Sequence, residues 1–310
     1  MREWFNFIDW IHQIMSELGI ERVETPTLVD CPGTEPDINA FETTHINANN
    51  KANKLFLNTS PEIEMKKLLC QGWHNIYEIK KCFRNKESGP INHNEFYLLE
   101  WYRTHSSLDT ILKDLKYIFD FLSKKFKLGS ILKIETTSMK ELFKTYLNME
   151  IHPKTTVKDF KNTLEKRNIY FNKLNSSIDD MFYLLFLNEI EPHIGKKNPL
   201  MVYDYPPFQK AYARIGENGW AKRFELFWKG MELANAFDEV IDSTEQKKRF
   251  KEDNLKRKQL GKKIMPFSDK LLKNMKEGKM PPSSGIAMGL ERLFLAFKNL
   301  NDIKQVKLYK

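Results

Sequence analysis

The sequence predicts an α+β fold in which an antiparallel β-sheet is flanked by helices. Three observations carry this expectation. Residues 76–83 and 95–103 read as two strands joined by a polar connection, 85–94. Residues 223–228 and 231–237 flank Lys229-Gly230, a two-residue hairpin turn. Apolar residues recur at helical spacing over 2–18 and 108–126, so helices are interspersed with the strand pairs.

Taken in chain order, Trp4, Phe5, Phe7, Ile8, Ile11, Met15 and Leu18 give the first helix one buried face, and Gly19 ends it. A short strand over 22–24 stops at Pro26. Residues 32–53, rich in Pro, Asn and Thr, read as a loop. A strand over 55–58 follows, and Ser60 is placed to cap a helix with Pro61 in its first turn. The stretch from about 138 to 191 reads as a helical insertion without a chemical motif. A strand over 200–205, the hairpin, a basic helix over 244–260, and a small-residue strand over 285–290 entering a helix over 291–297 complete the chain. There is no internal repeat and no low-complexity linker.

Composition bounds the function. With 41% apolar and 13% aromatic residues the chain of 310 is globular in character. It has no run of eighteen apolar residues and no signal-like start, so no membrane partner is expected. Cys31, Cys70 and Cys82 form neither a disulfide framework nor a C-x-x-C pair, which points to a reducing, cytoplasmic setting. Net charge is +9, and between Thr244 and Lys279 thirteen Lys and Arg face five Asp and Glu. That run reads either as a solvated helical face or as a docking surface for an acidic macromolecule.

Four constellations carry chemistry. Strand alternation puts Phe96, Leu98, Glu100 and Tyr102 on one face, suited to a flat base and a cation, with Arg84 at the loop mouth where it can grip phosphate. Glu225 and Glu232 fall on one face of the hairpin, and two carboxylates there invite a cation such as Mg²⁺ with ATP phosphates. Glu239 joins them only across a bulge or bend, expected at Asn235-Ala236. Gly285, Ala287 and Gly289 leave a strand face bare for a nucleotide, with Arg292 in the next helical turn. Glu62 sits in a first helical turn after Ser60, where a carboxylate can bind an ammonium group or simply serve the cap. His12, His45, His74, His105, His152 and His193 show no metal spacing, and His93 lies within the candidate phosphate loop.

These segments, in this order, resemble the class II aminoacyl-tRNA synthetase catalytic fold of the lysyl type. Residues 19–26 (GIERVETP) look like motif 1, which forms the dimer interface; 83–102 look like motif 2; 285–292 look like motif 3. The resemblance covers nearly all of residues 1–310 as one catalytic domain, with no anticodon-binding domain expected. TSPE at 59–62, LEWYR at 99–103, EPHIG at 191–195 and MELAN at 231–235 are similar to the stand-alone elongation factor P–lysine ligase family.

By that resemblance Ser60, Glu62, Glu100, Tyr102, Asn235 and Glu239 contact the amino acid. Arg84 and Arg292 are catalytic and hold ATP phosphates. Lys86, His93, Phe96, Glu232, Leu233 and Gly289 complete the ATP site, and Glu225 and Glu232 hold Mg²⁺. The resemblance implies a cytoplasmic homodimer that activates lysine or (R)-β-lysine with ATP and transfers it to a lysine ε-amine of elongation factor P, not to tRNA. Two other readings stand beside it: a truncated lysyl-tRNA synthetase, and a non-catalytic relative with an impaired ATP site.

The chain departs from the family at three places. Lys86 stands where motif 2 has a glutamate that accepts from adenine, and lysine cannot accept. His93-Asn94 comes one place late, and Ala236 replaces a glycine.

Overall fold

The computed structural model describes residues 2–172 and 176–306. In chain order its regular elements are α1 (Arg2–Glu17), β1 (Glu21–Arg22), β2 (Leu28–Val29), β3 (Glu42–Ile46), β4 (Ala52–Leu57), α2 (Glu62–Leu69), β5 (Ile76–Phe83), β6 (Glu95–Thr104), α3 (Leu108–Lys125), β7 (Glu135–Ser138), α4 (Met139–Leu147), α5 (Val157–Lys166), α6 (Ile178–Leu185), β8 (Leu200–Tyr205), β9 (Ala221–Trp228), β10 (Met231–Asp238), α7 (Ser243–Gln259), α8 (Asp269–Lys276), β11 (Ser283–Gly289) and α9 (Leu290–Lys298). The mixture is α+β, as the alternation of strand pairs and helices predicts. The chain divides into two compact units: residues 1–131 with 239–310, and residues 132–238.

In the first unit the strands run β1-β5-β6-β11, β1 parallel to β5 and the rest antiparallel. Glu100 lies opposite Glu78 on β5 and Ala287 on β11, while Tyr102 lies opposite Ile76 and Gly285. The expected face of alternate residues on β6 is therefore real, and the small residues of β11 share it. Behind the strands, α1, α3 and α9 meet through aromatic rings: Phe7 packs on Phe294, Phe294 on Phe126, and Phe126 stacks on Phe297 with centroids 5.2 Å apart. A separate sheet, β2-β4-β3, draws β3 and the start of β4 from the stretch expected to be loop. All five residues of β3 are exposed, so no apolar alternation marks it in the sequence.

Other boundaries also differ. The strand expected at 22–24 is Glu21–Arg22, and α8 was not foreseen. The helix cap falls on Pro61, with the Ser60 hydroxyl accepting from the Glu62 N–H at 3.3 Å. Two cations of the basic run are interior. Arg257 donates to the carbonyls of Glu35, Ile38 and Lys263, and Arg249 pairs with Glu245. The run is thus partly a structural strut and not wholly a charged surface.

The second unit orders its strands β10-β9-β8-β7. Lys229 and Gly230 both take positive φ, 53° and 74°, the backbone of the expected two-residue turn. Trp228 pairs with Met231 and Phe227 with Glu232. The register then shifts between Glu232 and Ala234, so the bulge is at Leu233, earlier than expected, and Asn235 comes to lie opposite Glu225. Ala236 is buried within β10 and needs no positive φ. Phe143, Phe160 and Phe182 form the aromatic centre of this unit's core.

Candidate active site

In the first unit, three glutamates, a tyrosine and a lysine meet in the interior. Helix α2 supplies Glu62 and, one turn later, Lys66; β6 supplies Glu100 and Tyr102; the segment leaving β10 supplies Glu239. The Lys66 Nζ lies 2.5 Å from Glu62 Oε1 and 2.7 Å from Glu239 Oε2, with 3% of its side chain exposed. Burial works against the ammonium, but Glu239 and Glu62 outweigh it and raise its pKa. Tyr102 donates to Glu100 Oε1 at 2.7 Å, while Glu100 Oε2 is buried with no hydrogen-bond partner among the described residues. Burial, then the Glu62 charge, push the Glu100 carboxyl well above the usual carboxylate range. Burial and Glu100 likewise raise the Tyr102 phenol.

Gly285 makes this cluster possible. A Cβ there would collide with the Tyr102 ring and stand 2.7 Å from Glu239 Oε1. The Glu239 backbone is fixed alongside, its N–H donating to Ser283 O at 2.9 Å. The bare face expected of β11 is therefore covered at Gly285. At Gly289 it stays open, since a Cβ would meet only Arg292, at 3.8 Å.

Both arginines address the 85–94 connection. Arg84 donates its backbone N–H to Asn94 O and its Nε to Thr59 O, and its guanidinium sits 5.0 Å from the centroid of Phe96. Arg292 donates to Asn92 Oδ1, so Asn92 is the loop residue it meets, while His93 bonds locally to the Glu95 backbone. Lys86 turns left-handed at φ 66° and is exposed, and Glu87 stands 3.9 Å from Arg84 Nη1. Glu291, which the sequence reading passed over, accepts from the Tyr97 N–H with both oxygens at 2.9 and 3.0 Å and fastens the start of α9 to β6. Glu35 was also missed. Burial, followed by the neighbouring Glu62, raises its carboxyl to about 7.

In the second unit Glu225 is heavily engaged. Its Oε1 accepts from Arg223 and, at 3.3 Å, from Asn235; its Oε2 accepts from Tyr205 at 2.6 Å. Arg223 is buried, donates also to Asn235 Oδ1 and Gln209 O, and lies 4.4 Å from the Tyr205 ring. Burial opposes its charge and Glu225 overcomes that, so its pKa is raised. The Asn235 amide thus serves Arg223 and Glu225. Leu233 is buried at the bulge, and Glu232 is half-buried. Among the described residues no three His, Cys, Asp or Glu side chains gather as a metal site, and no helix is long and apolar enough to cross a membrane.

A family profile described as tRNA synthetases class II (D, K and N) matches residues 3–310. The chain belongs to that family. Its α+β fold is the class II catalytic domain, and use of ATP goes with that synthetase family. Among similar proteins, the elongation factor P–(R)-β-lysine ligase of Hamiltonella defensa is 34% identical over 306 residues, covering 97% of this chain and 91% of the relative. The enzyme of the same name from Edwardsiella ictaluri is 33% identical over 306 residues, with the same coverage. That from Buchnera aphidicola (strain APS) is 35% identical over 311 residues, covering 97% and 92%. Within the class II synthetases the chain belongs with these ligases, as its TSPE and MELAN segments led one to expect.

Proposed function

We propose that this class II chain is a ligase that uses ATP to activate (R)-β-lysine, or lysine, as an acyl-adenylate and passes the acyl group to a lysine ε-amine of elongation factor P. The observation that carries the reading is the interior cluster of Glu62, Glu100 and Glu239 around one protein ammonium. A buried surplus of carboxylates is costly unless cations arrive. A diamino acid brings two. The shared name of the relatives supports the same substrate and acceptor.

In the first step a substrate carboxylate oxygen attacks the α-phosphorus of ATP and pyrophosphate leaves. In the second, the acceptor amine nitrogen attacks the activated carbonyl carbon, an amide forms, AMP departs with the C–O electron pair, and the amine proton is lost to solvent. Glu62 and Glu239 hold the substrate's ammonium groups, with Glu100 supporting and Ser60 and Tyr102 orienting them. Arg84 and Arg292 neutralise phosphate charge as it develops. Phe96 offers a flat face to the base, and Gly289 lets the nucleotide approach the backbone.

Mg²⁺ takes one or two protein carboxylates together with phosphate oxygens; of Glu225 and Glu232, the half-buried Glu232 fits that role better, because Glu225 is engaged by Arg223, Asn235 and Tyr205 and would have to give up a donor to join it. When bound, the ion supplies charge neutralisation on the phosphates. We place the enzyme in the cytoplasm as a homodimer, with tRNA not an acceptor. The test is intact-mass analysis of elongation factor P and acid-gel analysis of tRNA after incubation with ATP and (R)-β-lysine. Acylated elongation factor P and uncharged tRNA are expected; charged tRNA with unmodified elongation factor P contradicts the reading.

A further inference from the structure

Lys66 has no role in the activity as described above. It lies in the midst of the groups that do, and its side chain is almost wholly buried. On the neighbouring strand the buried Glu78 and Lys80 pair one to one at 3.0 Å. The Lys66 cluster does not. One ammonium faces Glu62 and Glu239 directly, and Glu100 stands close enough to feel both Glu62 and Lys66. Replacing a whole buried ion pair by apolar side chains of similar volume is often neutral or favourable for stability, so the presence of this cluster calls for a reason beyond folding.

Geometry supplies one. Glu62 and Lys66 share one face of α2 at i and i+4, where side chains meet. Glu239 comes from a remote segment held by the Ser283 carbonyl. Lys66 is the tie that sets the spacing between these two carboxylates. Without it they would repel in a poorly solvated interior and one would take up a proton. A protonated carboxyl is a weak receptor for a substrate ammonium.

We propose that Lys66 is a positioning residue of the amino-acid site, holding Glu62 and Glu239 at fixed separation so that the site takes a substrate with two ammonium groups. This rests on the activation of a diamino acid argued above. Other charges face Glu62. Glu35 presses on it from the 32–40 loop, and Glu100 faces it from β6 beside Tyr102 and Glu239, while Arg84 acts on Glu35 as a counter-charge and Lys80 satisfies Glu78.

The experiment compares wild-type protein with Lys66→Met and Lys66→Arg, reading calorimetric binding of (R)-β-lysine and the KM values for (R)-β-lysine and ATP in pyrophosphate exchange across pH. Lys66→Met is expected to raise KM for (R)-β-lysine about tenfold or more at neutral pH, with KM for ATP within about twofold. The gap narrows as pH rises, because carboxylates that have lost their cation release their protons later. Lys66→Arg restores the wild-type pH profile with an intermediate KM. If Lys66→Met does not fold, Lys66→Gln serves in its place. A merely structural lysine would lower the melting temperature and leave the pH profile unchanged. That outcome, or equal shifts in both KM values, overturns the proposal. Wild-type protein that binds (R)-β-lysine without exchange removes the activation step yet leaves the effect of Lys66→Met on binding as the test. Wild-type protein that does neither overturns both.

Discussion

Each unit of the chain buries a basic side chain among carboxylates and tyrosines, and the two arrangements differ in how far they are closed. In the second unit Arg223 balances Glu225, and Tyr205 and Asn235 occupy further lone pairs of the same carboxylate. In the first, Lys66 serves both Glu62 and Glu239, while Glu100 keeps a buried oxygen with no hydrogen-bond partner among the described residues. A closed network contributes rigidity and fixes one arrangement of strands. An open one stores electrostatic demand that a ligand can satisfy, which is why perturbed carboxyls gather where chemistry is done. Substitutions in the two networks should separate stability from substrate binding.

The largest effect is expected from Arg223→Met, which leaves Glu225 buried without its cation. Breaking a buried pair from one side costs roughly 3–5 kcal/mol, to be seen as a lowered denaturation midpoint. A change below about 1 kcal/mol would mean that the network is not closed as described. Glu239→Gln should act mainly on binding, raising KM for the amino acid about a hundredfold, equivalent to about 2.7 kcal/mol. An unchanged KM would remove Glu239 from the site. Gly285→Ala forces a methyl group against Tyr102 and Glu239. A cost of about 1–3 kcal/mol should appear as weaker amino-acid binding with ATP binding retained, and a neutral result would show that the cluster tolerates displacement.

The smallest effect concerns Glu35, whose carboxyl is raised to about 7. A carboxyl with a raised folded pKa binds protons more tightly in the native state, so its contribution to stability is lost as pH climbs from the ordinary range of about 4.5 to about 7. Glu35→Gln should therefore raise the melting temperature at pH 8 relative to wild type and change it little at pH 4. Equal effects at both pH values would mean that the shift has another source.

Much of this contrast is legible in the sequence, for identifiable reasons. The two-residue period of a strand over 95–103 gives the face that carries Glu100 and Tyr102, and Lys229-Gly230 announces a turn whose geometry both residues adopt. The bulge is not legible, because Leu233 is an ordinary apolar strand residue and only the register reveals the extra position. Strand β3 hides because an exposed edge needs no apolar pattern. Lys66 hides for the opposite reason. A lysine four residues after a glutamate reads as a surface pair, and nothing local tells that Glu239 arrives from far along the chain to bury it. Arg257 was lost in the same way, counted as surface charge when it binds three backbone carbonyls.

The central claim is that the open cluster of the first unit receives a diamino acid for activation with ATP. Amino-acid-dependent ATP–pyrophosphate exchange, run with (R)-β-lysine, lysine, and neutral amino acids of similar length, tests it most directly. The account predicts exchange with the two diamino acids and none with the neutral ones, despite Lys86 in motif 2. Exchange supported equally by neutral amino acids, or absent with every amino acid in folded protein, would contradict it.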